Sequence, residues 1–302
     1  MLAACERSRT TVPRDTALAV LPESAQAPNV PPAPPAWTPE AGPVMLVRSG
    51  NALDAAYVVF PEYNDSTLPD TVRFDTRSVR GLPVELIGHD GAAGTARVAS
   101  ASSSTWIADS CVEWPTARLE LAGDSAQLAD WTVAFEHASI RPIRLDSLQT
   151  LPSPDSARLA ADITRLASAL PDDTSRTFRG IPFVVRAAYR FAAAPRVQAI
   201  AADVVRKLNQ EATPLEQHTL IVAERDAANP QAPYHAVYHE RTAGSEESIE
   251  TSDVLAGIQY PTPGHMALVL VREGIDATAY ALLERGASGR WRVRWTSVHT
   301  GC

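Results

Sequence analysis

The chain has 302 residues, of which 45% are hydrophobic, so it is long enough to bury a sizeable core. It carries 27 basic and 35 acidic residues, and the net charge of -8 at pH 7 gives no electrostatic reason to expect nucleic acid as a partner. No apolar run in the sequence approaches the ~18 residues that a membrane-spanning helix needs. Any attachment to a membrane is therefore expected at the N-terminus.

The chain begins with Met1-Leu2-Ala3-Ala4-Cys5. Leu2 to Cys5 resemble the lipobox of bacterial lipoproteins, where Cys becomes the lipid-modified first residue of the mature protein. The resemblance covers this short motif only. It implies a lipid anchor on Cys5 and a place in the cell envelope, periplasmic or facing outward. The charged and apolar regions that precede a lipobox are missing from the printed sequence, so the resemblance also implies a signal segment encoded upstream of Met1.

The segment that follows, up to Pro43, is dense in proline and has almost no apolar periodicity. Such a segment buries too little apolar surface to offset the entropy lost on ordering, and proline favours an extended conformation. We therefore expect residues 1–43 to form the lipidated end and a disordered, Pro-rich tether for a folded body.

Short apolar runs separated by turn signals predict a compact unit of β-strands over residues 44–150, a small barrel or sandwich. His89-Asp90-Gly91 is a strong hairpin signal between two of these strands. The strands are expected at residues 44–48, 55–60, 71–74, 84–87, 95–99, 117–121 and 131–136.

An amphipathic helix is expected after this unit. Ser153 is the predicted N-cap, Pro154 suits the first helical position, and Pro171 ends the helix. Apolar residues recur in between at helical spacing and form one stripe. These are Leu159, Ile163, Leu166 and Leu170.

Alternating and continuous apolar runs then predict a long antiparallel meander. Residues 197–208 are compatible with a helix or a strand, and the preceding turn favours the strand. The last hairpin is expected to turn at residues 286–289. The expected cross-strand pairs are Arg285 with Arg290, Leu282 with Val293, and Tyr280 with Trp295. The chain as a whole is predicted to be α+β and mainly antiparallel β, with residues 151–302 as its second folded domain.

Two cysteines remain besides Cys5. In an oxidising periplasm Cys111 and Cys302 are expected to form a disulfide. The alternative is two unpaired thiols.

A catalytic site is not assigned, because the sequence lacks a G-x-S-x-G motif and a triad is defined by spatial geometry. A disulfide between Cys111 and Cys302 would bring Ser110, with its neighbour Asp109, close to His299. This keeps a periplasmic hydrolase as the alternative function.

Metal and cofactor sites are not expected. His235 and His239 lie in a strand-like stretch, where this spacing separates them by about 13 Å, too far to share one zinc ion. Phosphate-binding glycine motifs are absent from the sequence. Trp106 and Trp114 flank a polar loop and are either half-buried anchors or a possible ligand surface.

The sequence therefore favours a lipid-anchored envelope protein whose body is a non-enzymatic binding or scaffolding module. Its expected partners are the membrane, through the lipid on Cys5, and an envelope protein or a small molecule. Nucleic acid is not expected.

Overall fold

A closed six-stranded barrel forms the first part of the fold. The computed structural model describes residues 44–60, 71–107, 113–123, 126–171, 176–209 and 214–301. The strands of this part are β1 (Met45–Arg48), β2 (Ala55–Val59), β3 (Thr71–Phe74), β4 (Pro83–Gly88), β5 (Gly91–Ala101), β6 (Ser104–Ile107), β7 (Thr116–Ala122) and β8 (Val133–Glu136).

The barrel order is β1-β2-β7-β5-β4-β8, and β3 pairs separately with β6. Side chains alternate along the barrel strands. In β7, Ala117 and Leu119 are buried while Arg118 and Glu120 are exposed, as a strand with one face in a core requires. The predicted β unit is thus a barrel.

The later strands form two further antiparallel sheets. The first sheet has the order β10-β11-β12-β13-β14, and the second has the order β18-β17-β16-β15-β9, with β19 paired to β17. Their elements are β9 (Arg141–Ile143), β10 (Asp146–Ser147), α1 (Ser153–Ala169), β11 (Val184–Ala194), β12 (Val197–Leu208), β13 (Leu215–Asp226), β14 (His235–Ser245), β15 (Thr251–Gln259), β16 (Met266–Glu273), β17 (Ala277–Arg285), β18 (Trp291–Thr296) and β19 (Thr300–Gly301).

These parts stack in layers: helix, first sheet, second sheet, barrel. Ile163 of α1 packs against Ile200 and Ile221 on the outer face of the first sheet. The other face of that sheet packs against the second sheet, whose far face joins the barrel core. The apolar run of β16 packs against both neighbouring layers, the first sheet and the barrel. Leu268 faces the first sheet and Val269 faces the barrel, which is why the run is apolar without alternation.

The predicted fold class is confirmed. The described residues contain one α-helix, and their sheets are antiparallel. Residues 197–208 form a strand, as favoured. β9 and β10 precede residue 150 but pair with β15 and β11 of the later sheets. The division into domains at residues 43 and 150 stays a prediction.

The predicted cap of α1 is wrong. Pro152, in an extended conformation, is the N-cap, and Ser153 is already helical. The Pro152 carbonyl accepts hydrogen bonds from the backbone N–H groups of Asp155 and Ser156 at 2.9 Å, so the first turn closes one residue earlier than the sequence suggested. The apolar stripe is confirmed by the burial of Leu159 and Ile163.

The predicted turn of the last hairpin is one residue too long. The Gly286 backbone N–H donates to the Arg290 carbonyl at 3.0 Å, and the Gly289 N–H donates to the Gly286 carbonyl at 2.9 Å. Gly289 has a φ of 78°, the left-handed conformation that ends a three-residue hairpin loop. Arg285 consequently lies opposite Trp291 rather than Arg290.

A β-bulge shifts the pairing register of the same hairpin farther from the turn. The register changes between Leu282 and Leu283, so that Leu283 pairs with Val293 and Leu282 with Trp295. The predicted pairings of Leu282 with Val293 and of Tyr280 with Trp295 are therefore wrong. A bulge inserts a residue into one strand and rotates the side chains beyond it.

Helices in the described ranges are all too short or too polar to cross a membrane.

Candidate functional site

A cleft of about 570 Å³ opens where the barrel meets the two sheets. We call it the junction cleft. Its walls come from the β1–β2 turn, the β4–β5 turn, the segment before β8, the β10 region and β15. The lining residues are Val47, Arg48, Gly50, His89, Asp90, Ala129, Asp130, Trp131, Thr132, Leu145, Ser147, Thr150 and Leu255.

Arg48 fixes one wall of the junction cleft. Its guanidinium donates from Nη1 to the carbonyl oxygens of Ala129 and Trp131, the latter at 3.2 Å, and from Nε to Gly50 at 3.3 Å. The indole N–H of Trp131 donates to the Leu53 carbonyl at 3.0 Å. The β1–β2 turn and the segment before β8 are therefore tied together through side chains, not only through the sheet.

His89 fixes the opposite wall. Its Nε2 lies 2.7 Å from the Val254 carbonyl oxygen, and because a carbonyl only accepts, Nε2 carries the proton and donates. The imidazole also packs on Tyr189, with ring centroids 4.7 Å apart. The His89 carbonyl in turn accepts from the Leu145 N–H at 2.7 Å. The β4–β5 turn of the barrel is thereby held against both later sheets.

Charged side chains line the junction cleft at Arg48, Asp90 and Asp130. Arg144 lies 3.7 Å from Asp90 and 3.1 Å from Asp146. The Arg144 and Asp90 side chains are 69% and 85% exposed, so this ion pair contributes little to stability. The interior presents apolar side chains, including Leu145 and Leu255, beside backbone polar groups. Such a mixture is typical of sites for small organic ligands.

The hydroxyl groups of the junction cleft are committed to local hydrogen bonds. The Ser147 hydroxyl donates to the Gln149 side-chain oxygen and accepts from the Gln149 N–H. The Thr150 hydroxyl donates to the Ser147 carbonyl at 2.8 Å. Among the described lining residues, neither hydroxyl is hydrogen-bonded to His89 or to a carboxylate, the partner that would activate it as a nucleophile.

Five of the residues singled out from the sequence lie outside the described ranges. This holds for Cys5, Cys111 and Cys302, and also for Asp109 and Ser110. The lipidation, the disulfide and the proximity of Ser110 to His299 therefore stay predictions.

His299 itself is described. Its side chain is 43% exposed, and Nε2 lies 3.3 Å from a carboxylate oxygen of Glu250. It lies just before β19, at the edge of the second sheet.

The two tryptophans of the predicted ligand surface lie at the barrel. Trp106 belongs to β6, and the structure describes its backbone only. Trp114 is buried in the core cluster of the barrel, with its ring centroid 5.2 Å from that of Phe74. Trp114 thus packs in the interior.

Sequence reasoning missed a buried polar network between the two later sheets. On β12 and β13, Asp203, Glu216 and His218 share the face that carries Ala201 and Leu220 toward the second sheet. His218 Nδ1 lies 3.0 Å from Asp203 and Nε2 lies 2.9 Å from Glu216. The sequence signal is a charged residue inside an otherwise apolar strand.

Two further cations complete this network. Arg186 lies at a bulge of β11, which turns its side chain toward Asp203, and it also donates to the Ser252 carbonyl at 3.1 Å. Lys207 pairs with Glu216. Burial opposes protonation of His218, but its hydrogen bonds to Asp203 and Glu216 outweigh this and raise the pKa of the imidazole. The network joins the first sheet to β15 of the second.

A second buried ion pair crosses the sandwich. Arg285 Nε donates to Glu224 at 2.7 Å, and the Trp291 indole N–H donates to the same oxygen at 2.6 Å. No group of three or more His, Cys, Asp or Glu residues within the described ranges has the geometry of a metal site.

Comparison of the chain with family models, with curated proteins and with solved structures gave no match in any of the three. What can be said of function rests on the residues of this chain.

Proposed function

We propose that this protein is a lipid-anchored cell-envelope protein whose folded part is a non-enzymatic module that binds a small molecule in the junction cleft. One observation carries the binding role: a cleft of about 570 Å³ whose walls are tied by side-chain hydrogen bonds of Arg48 and His89. Its volume falls in the range of small-molecule sites, and walls held before binding lower the entropy cost of association.

A binding role fits the chemistry of the cleft better than catalysis does. Ser147 and Thr150 supply hydroxyl groups, but these bond to local acceptors. The Nε2–H of His89 donates its hydrogen bond to the Val254 carbonyl. A hydrolase needs a nucleophile beside a base and donors for an oxyanion, and the described lining does not bring these together.

The anchor is supported by Leu2-Ala3-Ala4-Cys5 and by the Pro-rich segment that follows. Replacing Cys5 with Ser is expected to abolish incorporation of a palmitate analogue in bacterial cells and to release the protein from the membrane fraction. Cys111→Ser is the control and is expected to leave labelling unchanged. Equal labelling of the Cys5→Ser variant, or none of the wild type expressed with its upstream in-frame sequence, would count against the anchor.

Binding in the junction cleft is tested by filling it. Thr150→Trp places an indole in the cleft, whereas Ala157→Trp adds the same group to the exposed face of α1. Fractions of envelope small molecules are added and the melting temperature is recorded. A ligand at a hundredfold excess over its Kd stabilises a protein by about 2.7 kcal/mol, which corresponds to a rise of roughly 5–10 °C.

The wild type and Ala157→Trp are expected to respond to the same fraction, and Thr150→Trp is not. A response of equal size in all three proteins would place the ligand elsewhere. Hydrolysis of a chromogenic ester by the wild type, lost in His299→Ala, would contradict the non-enzymatic role.

A further inference from the structure

A second cavity, of about 300 Å³, lies between α1 and the ends of β12 and β13. It is separate from the junction cleft and shares no lining residue with it. We call it the helix pocket. Its three cationic side chains come from different elements: Arg158 from α1, Arg190 from β11 and Arg225 from β13. Gln198 of β12 lines it beside Arg225.

Arg225 is the best-positioned cation of the helix pocket. Nε and Nη2 both donate to the side-chain oxygen of Gln198, Nε at 2.8 Å, and Nη1 donates to the Pro230 carbonyl at 2.7 Å. The guanidinium carbon lies 4.4 Å from the ring centroid of Tyr234, whose hydroxyl also donates to Gln198 at 3.0 Å. The guanidinium is therefore held over an aromatic ring by partners that are all neutral.

The charges of the helix pocket leave a positive surplus. Asp162 pairs with Arg165, and Arg190 lies 3.4 Å from Asp146 outside the pocket. The other charged lining groups, Arg158, Arg225 and Asp155, have no ion-pair partner among the described residues. A half-buried guanidinium without a carboxylate is costly to keep desolvated, and an anion in the pocket would remove that cost.

We propose that the helix pocket binds the carboxylate of a small molecule with at most one net negative charge, through Arg225 and Arg158. The contacts to Gln198 and Pro230 use three of the five N–H groups of the Arg225 guanidinium. The remaining N–H groups, on Nη1 and Nη2, can donate charge-assisted hydrogen bonds to a carboxylate. Asp155 and Asp162 line the same pocket and repel a dianion such as phosphate more strongly than a monoanion. This site does not depend on the proposed role of the junction cleft.

The test is calorimetric titration of the full chain with acetate, benzoate and L-glutamate, and with inorganic phosphate as the competing oxyanion. At least one carboxylate is expected to bind at a single site, more tightly than phosphate. Arg225→Gln is expected to weaken that binding about tenfold or more, the loss of one charge-assisted contact. Arg158→Gln is expected to weaken it severalfold.

Two control variants test whether carboxylate binding belongs to the helix pocket. Arg80→Gln removes an exposed arginine of the barrel, and Thr150→Trp fills the junction cleft. Both are expected to bind the carboxylate as the wild type does. If Arg225→Gln does not fold, the titration of Arg158→Gln tests the proposal, because Arg158 is exposed and its replacement leaves the core intact. Tighter binding of phosphate, no binding of any carboxylate, or wild-type affinity in the Arg158 variant would overturn the proposal.

Discussion

His218 lies between two carboxylates in the interior of the sandwich, and both of its ring nitrogens face acceptors. The imidazolium form is the one that can donate to Asp203 and Glu216 together. With Arg186 and Lys207 also present, the network carries opposite charges in contact. Removing one partner of such a set leaves a buried charge without compensation.

This arrangement makes stability depend on pH. Because the pKa of folded His218 lies above its ordinary value of 6.5, the protonated ring stabilises the fold fully below about pH 6.5. The contribution is lost as pH rises through the raised pKa. Urea denaturation of the wild type should therefore show a decline in unfolding free energy above neutral pH.

His218→Gln should flatten this decline and lower the unfolding free energy at pH 6 by about 2 kcal/mol or more. His235→Gln, an exposed position on the neighbouring strand β14, is the control and should keep the wild-type profile. An unchanged slope in His218→Gln would show that another group governs the dependence.

At the scale of elements, the last hairpin depends on one glycine. Gly289 has a φ of 78°, and a Cβ there would lie 3.2 Å from Nη2 of Arg285. Arg285 is bonded to Glu224 and cannot move away without breaking that pair. Gly289→Ala should therefore lower the unfolding free energy by about 1–2 kcal/mol.

Gly274→Ala, in the turn between β16 and β17, is the matched control. A Cβ at Gly274 makes only an ordinary contact, 3.6 Å from the Ala277 carbonyl. We expect its effect to stay within about 0.5 kcal/mol. Equal losses in chemical denaturation of the two variants would mean that backbone conformation at Gly289 is not the cause.

Sequence patterns predicted the elements themselves well, because burial leaves a periodic trace. The stripe of Leu159 and Ile163 identified α1, and the strand expected at residues 117–121 corresponds to β7, where buried and exposed side chains alternate. The register of strand pairing was harder to predict from the sequence. The turn is one residue shorter than expected, and the bulge opposite Leu282 and Leu283 has no local signature in residue type. Counting residues from the turn therefore misplaced Trp295.

The functional candidates were harder still to foresee. Arg48, His89, Ser147 and Leu255 of the junction cleft lie far apart in the chain and meet only when barrel and sheets pack together. The pairing of β12 with β13 likewise makes Asp203 and His218 diagonal neighbours, which the sequence alone does not show. Sequence supplied the residue types, while tertiary packing determined which of them meet.

At the scale of the whole molecule, barrel and sandwich share a core. Val269 and Leu282 of the second sheet pack in the same cluster as Leu86 and Phe135 of the barrel. Thr132, just before β8, adds a hydrogen bond from its hydroxyl to the Leu255 carbonyl at 2.7 Å. Separating the barrel from the sandwich would therefore expose apolar surface on both.

Residues 44–301 should therefore unfold in one cooperative transition. Differential scanning calorimetry is expected to give a single peak whose calorimetric and van't Hoff enthalpies agree. Two resolved peaks, with the first one shifted by substitutions in the barrel alone, would contradict this coupling.

Occupancy of the junction cleft is the central claim, and native mass spectrometry tests it most directly. The full chain, Thr150→Trp and Ala157→Trp are purified under mild conditions from the cells that produce the protein, and their intact masses are compared. We predict a small-molecule adduct on the wild type and on Ala157→Trp that Thr150→Trp lacks. No adduct on any of the three, or the same adduct on all of them, would contradict ligand binding in the junction cleft.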